Sequence, residues 1–455
     1  MSEQSSHSHK ILGPVHIWAL GVGIVLVGEY MGWNTAILRG GIGAALIGMW
    51  IISSMYVSMI SMTTEMATLM PEAGGQYTMA KYILGPLGAF NIGLMAVMEY
   101  AALEAADALV VGEILQVISP DFQPLPYIIL ALLVLTYVNY RGGQATFTLN
   151  LVITSAAFIA VIILLFSTNF YDPQATLIQM QDLTSGLSYG TLGLLAAMHF
   201  SCWFFLGIEG TAMEVDACRS PNRALPVGAF LSIATLLIGG TITWFVCSGL
   251  LSSEDVGVSV YPLFDAAKAT GKLFAIIALF VGTVLSCLAS ANGCINDASH
   301  AWAALSKDTL LPDYFGKRHP RYGSYYRSIV FLLPIALAFA FTGLLDHVVT
   351  FSIFSALLVY LLTSYMMYRF RRMYPLTELK RTYKSPLFPI PAFICAGLVI
   401  CVFFGMHLTY YVNIIAGALF YLVSSIWFCT RRLKFVDKSH FLRPGVKKWG
   451  MPKWL

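Results

Sequence analysis

Long runs of apolar residues, broken by short polar segments, repeat along the whole chain. A membrane-spanning helix needs about 20 mostly apolar residues, and that ruler predicts twelve spans: 14–37, 42–69, 87–116, 124–140, 145–167, 189–215, 226–251, 272–303, 328–344, 347–369, 388–405 and 408–429. No strand-type alternation of apolar and polar residues accompanies them. Backbone groups in lipid must find their partners within the segment, so these runs are read as helices. The expected fold class is an all-α polytopic membrane protein.

Composition agrees. Of 455 residues, 58% are apolar and only 11% charged, with mean hydropathy +0.73. A soluble domain of average make-up carries about 25% charge, so a soluble enzyme and a nucleic-acid binder are excluded. The eight cysteines form no CxxC pair and lie in or beside apolar stretches, which gives neither a disulfide nor a metal framework. No cofactor is expected. Residues 1–10 are Ser- and His-rich and run straight into an apolar span, which reads as a cytoplasmic tail rather than a signal peptide.

Charge sets the orientation. With the N-terminus inside, all of the 27 Lys and Arg residues except Arg39, Lys268 and Lys272 fall on the inner side. The positive-inside rule then puts both termini in the cytoplasm. The basic tail orients the chain and attracts anionic membrane lipid. No basic residue is left within the bilayer, since Lys272 and Arg369 stand at span ends.

The acids in the spans therefore lack obvious partners: Glu29 in the first, Glu99, Glu104 and Asp107 in the third, Glu209 and Glu214 in the sixth. Ionisable groups there are costly, at least about 2.5 kcal/mol on insertion scales, so each is a functional candidate. The bland alternative is a protonated carboxyl bonded to a backbone carbonyl. Glu214, near the end of its span, is expected to be solvated. Glu99, Leu103 and Asp107 share one helix face by four-residue spacing, which should look toward a cavity. Asp107 is expected to line the outer vestibule.

Two spans are expected to be interrupted. The first holds Gly21, Gly23, Gly28 and Gly32 within twelve residues, around Glu29, Tyr30, Trp33 and Asn34. The sixth holds Trp203, Phe204 and Phe205, then Gly207, Glu209 and Gly210. Two broken helices five spans apart point to an inverted-repeat transporter with its site at the midplane. Close Gly-mediated helix packing is the competing account.

Several motifs carry a resemblance. Phe204-Phe205-Leu-Gly207-Ile-Glu209-Gly, followed by Arg219-Ser-Pro221-Asn-Arg223-Ala-Leu-Pro226, resembles the sixth-helix signature of the amino acid–polyamine–organocation superfamily. Pro71-Glu-Ala-Gly74-Gly75-Gln-Tyr77, Ala304-Leu305-Ser306-Lys307-Asp308-Thr-Leu-Leu311-Pro312 and Tyr383-Lys384-Ser-Pro386 are similar to further motifs of that superfamily. The resemblance implies a five-plus-five inverted-repeat core, residues 14–371, followed by two more helices, residues 388–429, between cytoplasmic tails 1–13 and 430–455. Val27-Gly28-Glu29-Tyr30-Met31-Gly32-Trp33-Asn34, together with Glu99, resembles the ethanolamine permeases within it. Amino-acid-carrying relatives have a Gly-Ser-Gly type break where this chain has Trp33 and Asn34.

The substrate expected is a small amine, ethanolamine or similar, held by Glu29, Tyr30, Gly32, Trp33, Glu99, Trp203, Phe204 and Glu209. An acid beside aromatic faces suits a desolvated ammonium, worth about 2 kcal/mol or more per good contact. Trp33 and Trp203 are expected to wall the pocket from opposite sides. Glu99, His199 and Glu209 are the candidates for proton coupling, since buried carboxyls can exchange protons near neutrality. A lone His is more often simply packed. Span five has no Lys, and a sodium site from Thr154, Ser155 and carbonyls stays open. An amino acid permease or exchanger is the alternative function. An enzyme would need a motif such as HExxH or GxSxG, or paired His residues, and the chain has none. A bacterial inner membrane suits the resemblance.

Overall fold

A computed structural model describes residues 12–70, 72, 74–118, 121–142, 144–168, 192–213, 215–376 and 381–441. The described residues are helical, with one isolated β-bridge between Leu12 and Cys218 that ties the start of the first span to the end of the sixth. The helices run α1 Pro14–Met31, α2 Trp33–Gly40, α3 Ile42–Leu69, α4 Gly75–Ile83, α5 Pro86–Ile118, α6 Pro124–Tyr140 and α7 Gln144–Ser167. After these come α8 Gly193–Ser201, α9 Pro221–Leu250, α10 Ser253–Val258, α11 Pro262–Ala269, α12 Leu273–Lys307, α13 Tyr326–Ala340, α14 Leu345–Met373 and α15 Ile390–Trp427. Eight spans among the described residues are long and apolar enough to cross a membrane, while α6 and α13 are apolar but shorter. The long α5 is set apart by four acids, Glu99, Glu104, Asp107 and Glu113. Helices α4, α10 and α11 escape a ruler that registers only spanning lengths.

Burial distinguishes centre from periphery. Fourteen of the eighteen residues of α1 are buried, against nine of the thirty-eight in α15. Helix α1 packs on α7, α9 and α12, and α5 packs on α12 and α14. Large apolar side chains of α15, Phe393, Phe404 and Val423 among them, face outward, as a lipid-facing surface requires.

The eleventh and twelfth predicted spans are continuous in α15, with non-helical angles only at Tyr410, φ −120° and ψ 35°. Phe354 of α14 nonetheless touches both Phe403 and Tyr421, at ring separations of 5.7 and 6.3 Å. Eighteen residues of straight helix would separate those rings by about 27 Å. The helix must double back at Tyr410, so its two arms flank the same level of α14.

The first span differs from expectation. Helix α1 runs unbroken through Gly21, Gly23 and Gly28, and only Gly32 interrupts the chain before α2. The glycines serve packing instead. A Cβ on Gly28 would stand 2.4 Å from the carbonyl oxygen of Trp203, so this glycine lets α1 lie against the sixth-span backbone.

The sixth span is interrupted where expected. After α8 the chain passes through a 3-10 turn at Cys202–Phe204, then Phe205 to Gly207, then a second 3-10 segment at Ile208–Ala212. Gly207 has φ +94°, a left-handed conformation that a Cβ would strain.

Candidate functional site

Three membrane-depth regions collect the chemistry. At the sixth-span interruption, Glu209 accepts hydrogen bonds from Tyr360 Oη of α14 at 2.7 Å and, at the 3.5 Å limit, from Tyr100 Oη of α5. Tyr56 Oη of α3 donates to the Cys202 carbonyl at 3.1 Å, fixing the strand of backbone just before it. Glu99 lies beside Glu209. Its Oε1 is buried without a partner, and its backbone carbonyl accepts from Ser352 Oγ at 2.9 Å. No Lys or Arg contacts either carboxyl among the described residues.

On the third-helix face Glu99, Leu103 and Asp107 are all buried against protein. A Cβ on Gly207 would meet Ile24 at 2.5 Å and Leu103 at 3.6 Å, so Leu103 looks at the interruption, one turn from Glu99. Asp107, a turn further, is buried against Ser290, Cys287 and Cys294 of α12. Glu104 is buried beside it. The expectation that Asp107 lines the outer vestibule is corrected: its side chain is buried beside residues of α12.

Glu29 belongs to a second region. It accepts from Thr243 Oγ1 of α9 at 3.4 Å and occupies space opened by Gly239 and Gly240. Thr243 in turn accepts from Trp33 Nε1 at 2.8 Å. Glu29 therefore turns toward α9, away from Glu99 and Glu209, because the helix continues past it to Met31. Tyr30 faces elsewhere again, its hydroxyl donating to the Ala157 carbonyl of α7 at 2.7 Å. It forms no cage with the other aromatics. Gly32 leaves room for the Phe204 ring, which a Cβ there would approach to 3.2 Å.

The third region is a cavity of about 490 Å³ at the face poor in basic residues. Trp203, Asn34, Glu113, Asp346, His347 and Tyr410 line it. Trp33 does not. It is fully buried and packs on Phe204 at 4.4 Å, so the expectation of two facing tryptophan walls is corrected: only Trp203 reaches this cavity. His199 packs against Phe200 and Tyr410, at 4.5 and 5.3 Å, and lies near Arg39 rather than the carboxyl cluster. Glu214 lies outside the described residues. A larger groove, about 740 Å³, runs between α3 and α15 but is lined by apolar groups such as Leu46, Trp50 and Phe393, with Ser54 its one hydroxyl. It carries none of the acids.

Sequence reasoning missed Glu113, Asp346, Tyr100, Tyr360 and Asp297. Asp297 was legible, being an acid inside the predicted span 272–303 by the same test that singled out Glu99. The tyrosines carried no signal, since a tyrosine in an apolar span is ordinary. Thr154 Oγ1 reaches the Ala19 carbonyl at 3.5 Å, whereas Ser155 bonds only within its own helix. Among the described residues no group of three His, Cys, Asp or Glu side chains is disposed to hold a metal ion.

The amino acid permease family profile matches residues 15–435. An uncharacterized transporter of Rhizobium meliloti is 46% identical over 97% of this chain and 96% of its own length. The methylthioribose transporter of Bacillus subtilis is 20% identical over 91% of this chain and 93% of its own. The human cystine/glutamate transporter is 22% identical over 72% of this chain and 66% of its own. These matches, together with helices fit to cross a bilayer, make the chain a multi-pass membrane transporter, not an enzyme, and it belongs to the amino acid permease family.

Proposed function

We propose that the protein is a secondary active transporter that imports a small amine, ethanolamine or similar, by alternating access coupled to protons. The observation that carries this reading is the Glu99–Glu209 pair at the sixth-span interruption, met by tyrosine hydroxyls and by no basic side chain among the described residues. Buried like charges cannot all stay ionised, so the pair calls for a proton or a cationic ligand. An amino acid would also bring a carboxylate, which this neighbourhood repels. Ethanolamine itself is favoured by the resemblance around Gly28-Glu29-Tyr30. The cavity holding Glu113 and Asp346 would attract cations toward the site.

We read the chain as twelve spans, ten of them a five-plus-five inverted-repeat core at 14–371, with 388–429 as the additional pair. The spans of apolar length, the acidic α5, the shorter α6 and α13 and the doubled α15 support that count. Both termini would face the cytoplasm of a bacterial inner membrane, with the basic face inside. Substrate contact is assigned first to Glu99 and Glu209. Phe204, Trp203, Gly32 and Trp33 shape the surrounding breaks, while Glu29 and Tyr30 support α1. His199 is assigned packing rather than proton transfer.

The second reading is an amino acid permease or exchanger of the same family, favoured by relatives named for such substrates. Uptake of labelled ethanolamine into proteoliposomes, with and without a proton or a sodium gradient, tests the proposal. Accumulation that follows the proton gradient and is undiminished by excess unlabelled amino acids is the expected result. Counterflow driven by amino acids and not by ethanolamine would establish the second reading.

A further inference from the structure

Asp297 of α12 has no part in the reading above, yet its carboxyl reaches the same site. The side chain is 3% exposed. A Cβ built on Gly210 would stand 2.2 Å from Asp297 Oδ2, 3.2 Å from Ile24 Cδ1 and 3.4 Å from Tyr100 Oη. Only a glycine at 210 lets this carboxyl lie against the backbone of the interrupted sixth span, one residue from Glu209. Its Oδ1 accepts from Asn296 Nδ2 at 3.1 Å. It lies near Glu99 and Tyr100 on α5 and near Cys294 one turn back on its own helix.

Three carboxyls thus converge from three elements, Glu99 from α5, Glu209 from the sixth span and Asp297 from α12. An acidic cluster alone would say little. Here Glu99 Oε1 is fully buried and has no partner, so this carboxyl beside Glu209 is left with an acceptor to be filled.

We infer that Asp297 is the third acid of the substrate site and that it selects against ligands carrying a carboxylate. The inference rests on the amine reading and deepens it. A ligand ammonium entering this neighbourhood meets carboxyl groups on three sides. A ligand carboxylate would join three acids where water does not screen them, and like charges brought together are strongly disfavoured. Ethanolamine and serine differ only by a carboxylate, so that pair isolates the contribution of Asp297.

The test uses the full chain purified in detergent, with thermal stabilisation by ethanolamine and by serine giving an apparent affinity for each. Wild type is expected to favour ethanolamine, and Asp297→Asn, nearly isosteric, to narrow the ratio by about tenfold or more. Asp297→Glu, which restores the charge, is expected to recover the wild-type ratio. An unchanged ratio in Asp297→Asn overturns the inference, whichever ligand wild type prefers. A wild type that prefers serine overturns the amine reading instead, while the change in ratio still decides Asp297. Should neither ligand stabilise the protein, the amine reading fails and infrared spectra of the ligand-free protein decide. Altered Glu99 and Glu209 carboxyl bands in Asp297→Asn support the shared site, and loss of the Asp297 band alone overturns it.

Discussion

Glu65 and Glu209 are both buried carboxyls on membrane helices, and they keep opposite company. Glu65, at the basic-face end of α3, accepts from Arg371 Nη2 at 2.7 Å and Nε at 3.2 Å, from Arg381 Nη1, and from the Ser385 amide at 2.6 Å. Asp308 at the same face is answered by Lys81 Nζ at 2.8 Å, Tyr77 Oη at 2.7 Å and His440 Nδ1 at 3.2 Å. Glu209 accepts from tyrosine hydroxyls, and neither it nor Glu99 has a Lys or Arg contact among the described residues. Among the described residues the buried Lys and Arg side chains, Lys81 and Arg381, are already committed to Asp308 and Glu65. A permanent counter-charge makes a carboxyl part of the scaffold. A carboxyl without one must be balanced by something that arrives and leaves, which is what a transport site needs.

The comparison breaks most visibly at Glu65. Glu65→Ala strands two guanidinium groups, and removing one partner of a buried pair costs about 3–5 kcal/mol. A large fall in melting temperature in detergent is expected, and near-wild-type melting would show that Glu65 is no scaffold residue. Glu99→Gln and Glu209→Gln should do the reverse, melting close to wild type while binding the amine about tenfold or more weakly, since losing one partner of a buried charge costs roughly 2–5 kcal/mol in affinity. Glu99→Gln should also change the pH dependence of uptake, and superimposable profiles would remove Glu99 from proton coupling.

Glu29 sharpens the contrast from between the two classes. Its contact is the Thr243 hydroxyl, which also receives the Trp33 indole N–H. Thr243→Val and Glu29→Gln should each cost about 1 kcal/mol of stability, as for one ordinary hydrogen bond, and reduce amine binding less than Glu99→Gln does. A Glu29→Gln protein that binds no amine would make Glu29 the counter-ion after all. The smallest effect belongs to the cavity at the basic-poor face. Glu113→Gln combined with Asp346→Asn should weaken uptake a few-fold at low salt and much less at high salt, because charges at a solvent-facing cavity attract through a field that salt screens. Salt-independent loss would place these acids in direct substrate contact.

Much of the scaffold was legible because hydropathy acts locally. A residue's preference for lipid or water is written in its own side chain, so span positions, the unpaired acids and the sixth-span interruption could be read in one dimension. Gly207 stood in the expected interruption of the sixth span, and the backbone there is left-handed. The Gly-rich first span misled because glycine has two uses. It can permit an unwound turn, or it can let two backbones touch, and Gly28 does the second against Trp203.

By itself the sequence determined a helical membrane chain, and it supplied acids in the spans without basic residues to neutralise them. Which acids meet was decided only by the tertiary structure. Glu99, Glu209 and Asp297 are separated by 110 and 88 positions, and no local pattern brings them together. They converge because α5 and α12 pack on each other while α1 holds the sixth-span interruption between them. The same packing turned Glu29 toward α9, buried Trp33 and left Trp203 at the cavity. A helix fixes which residues share a face, but which neighbour that face meets depends on how all the helices fill space together.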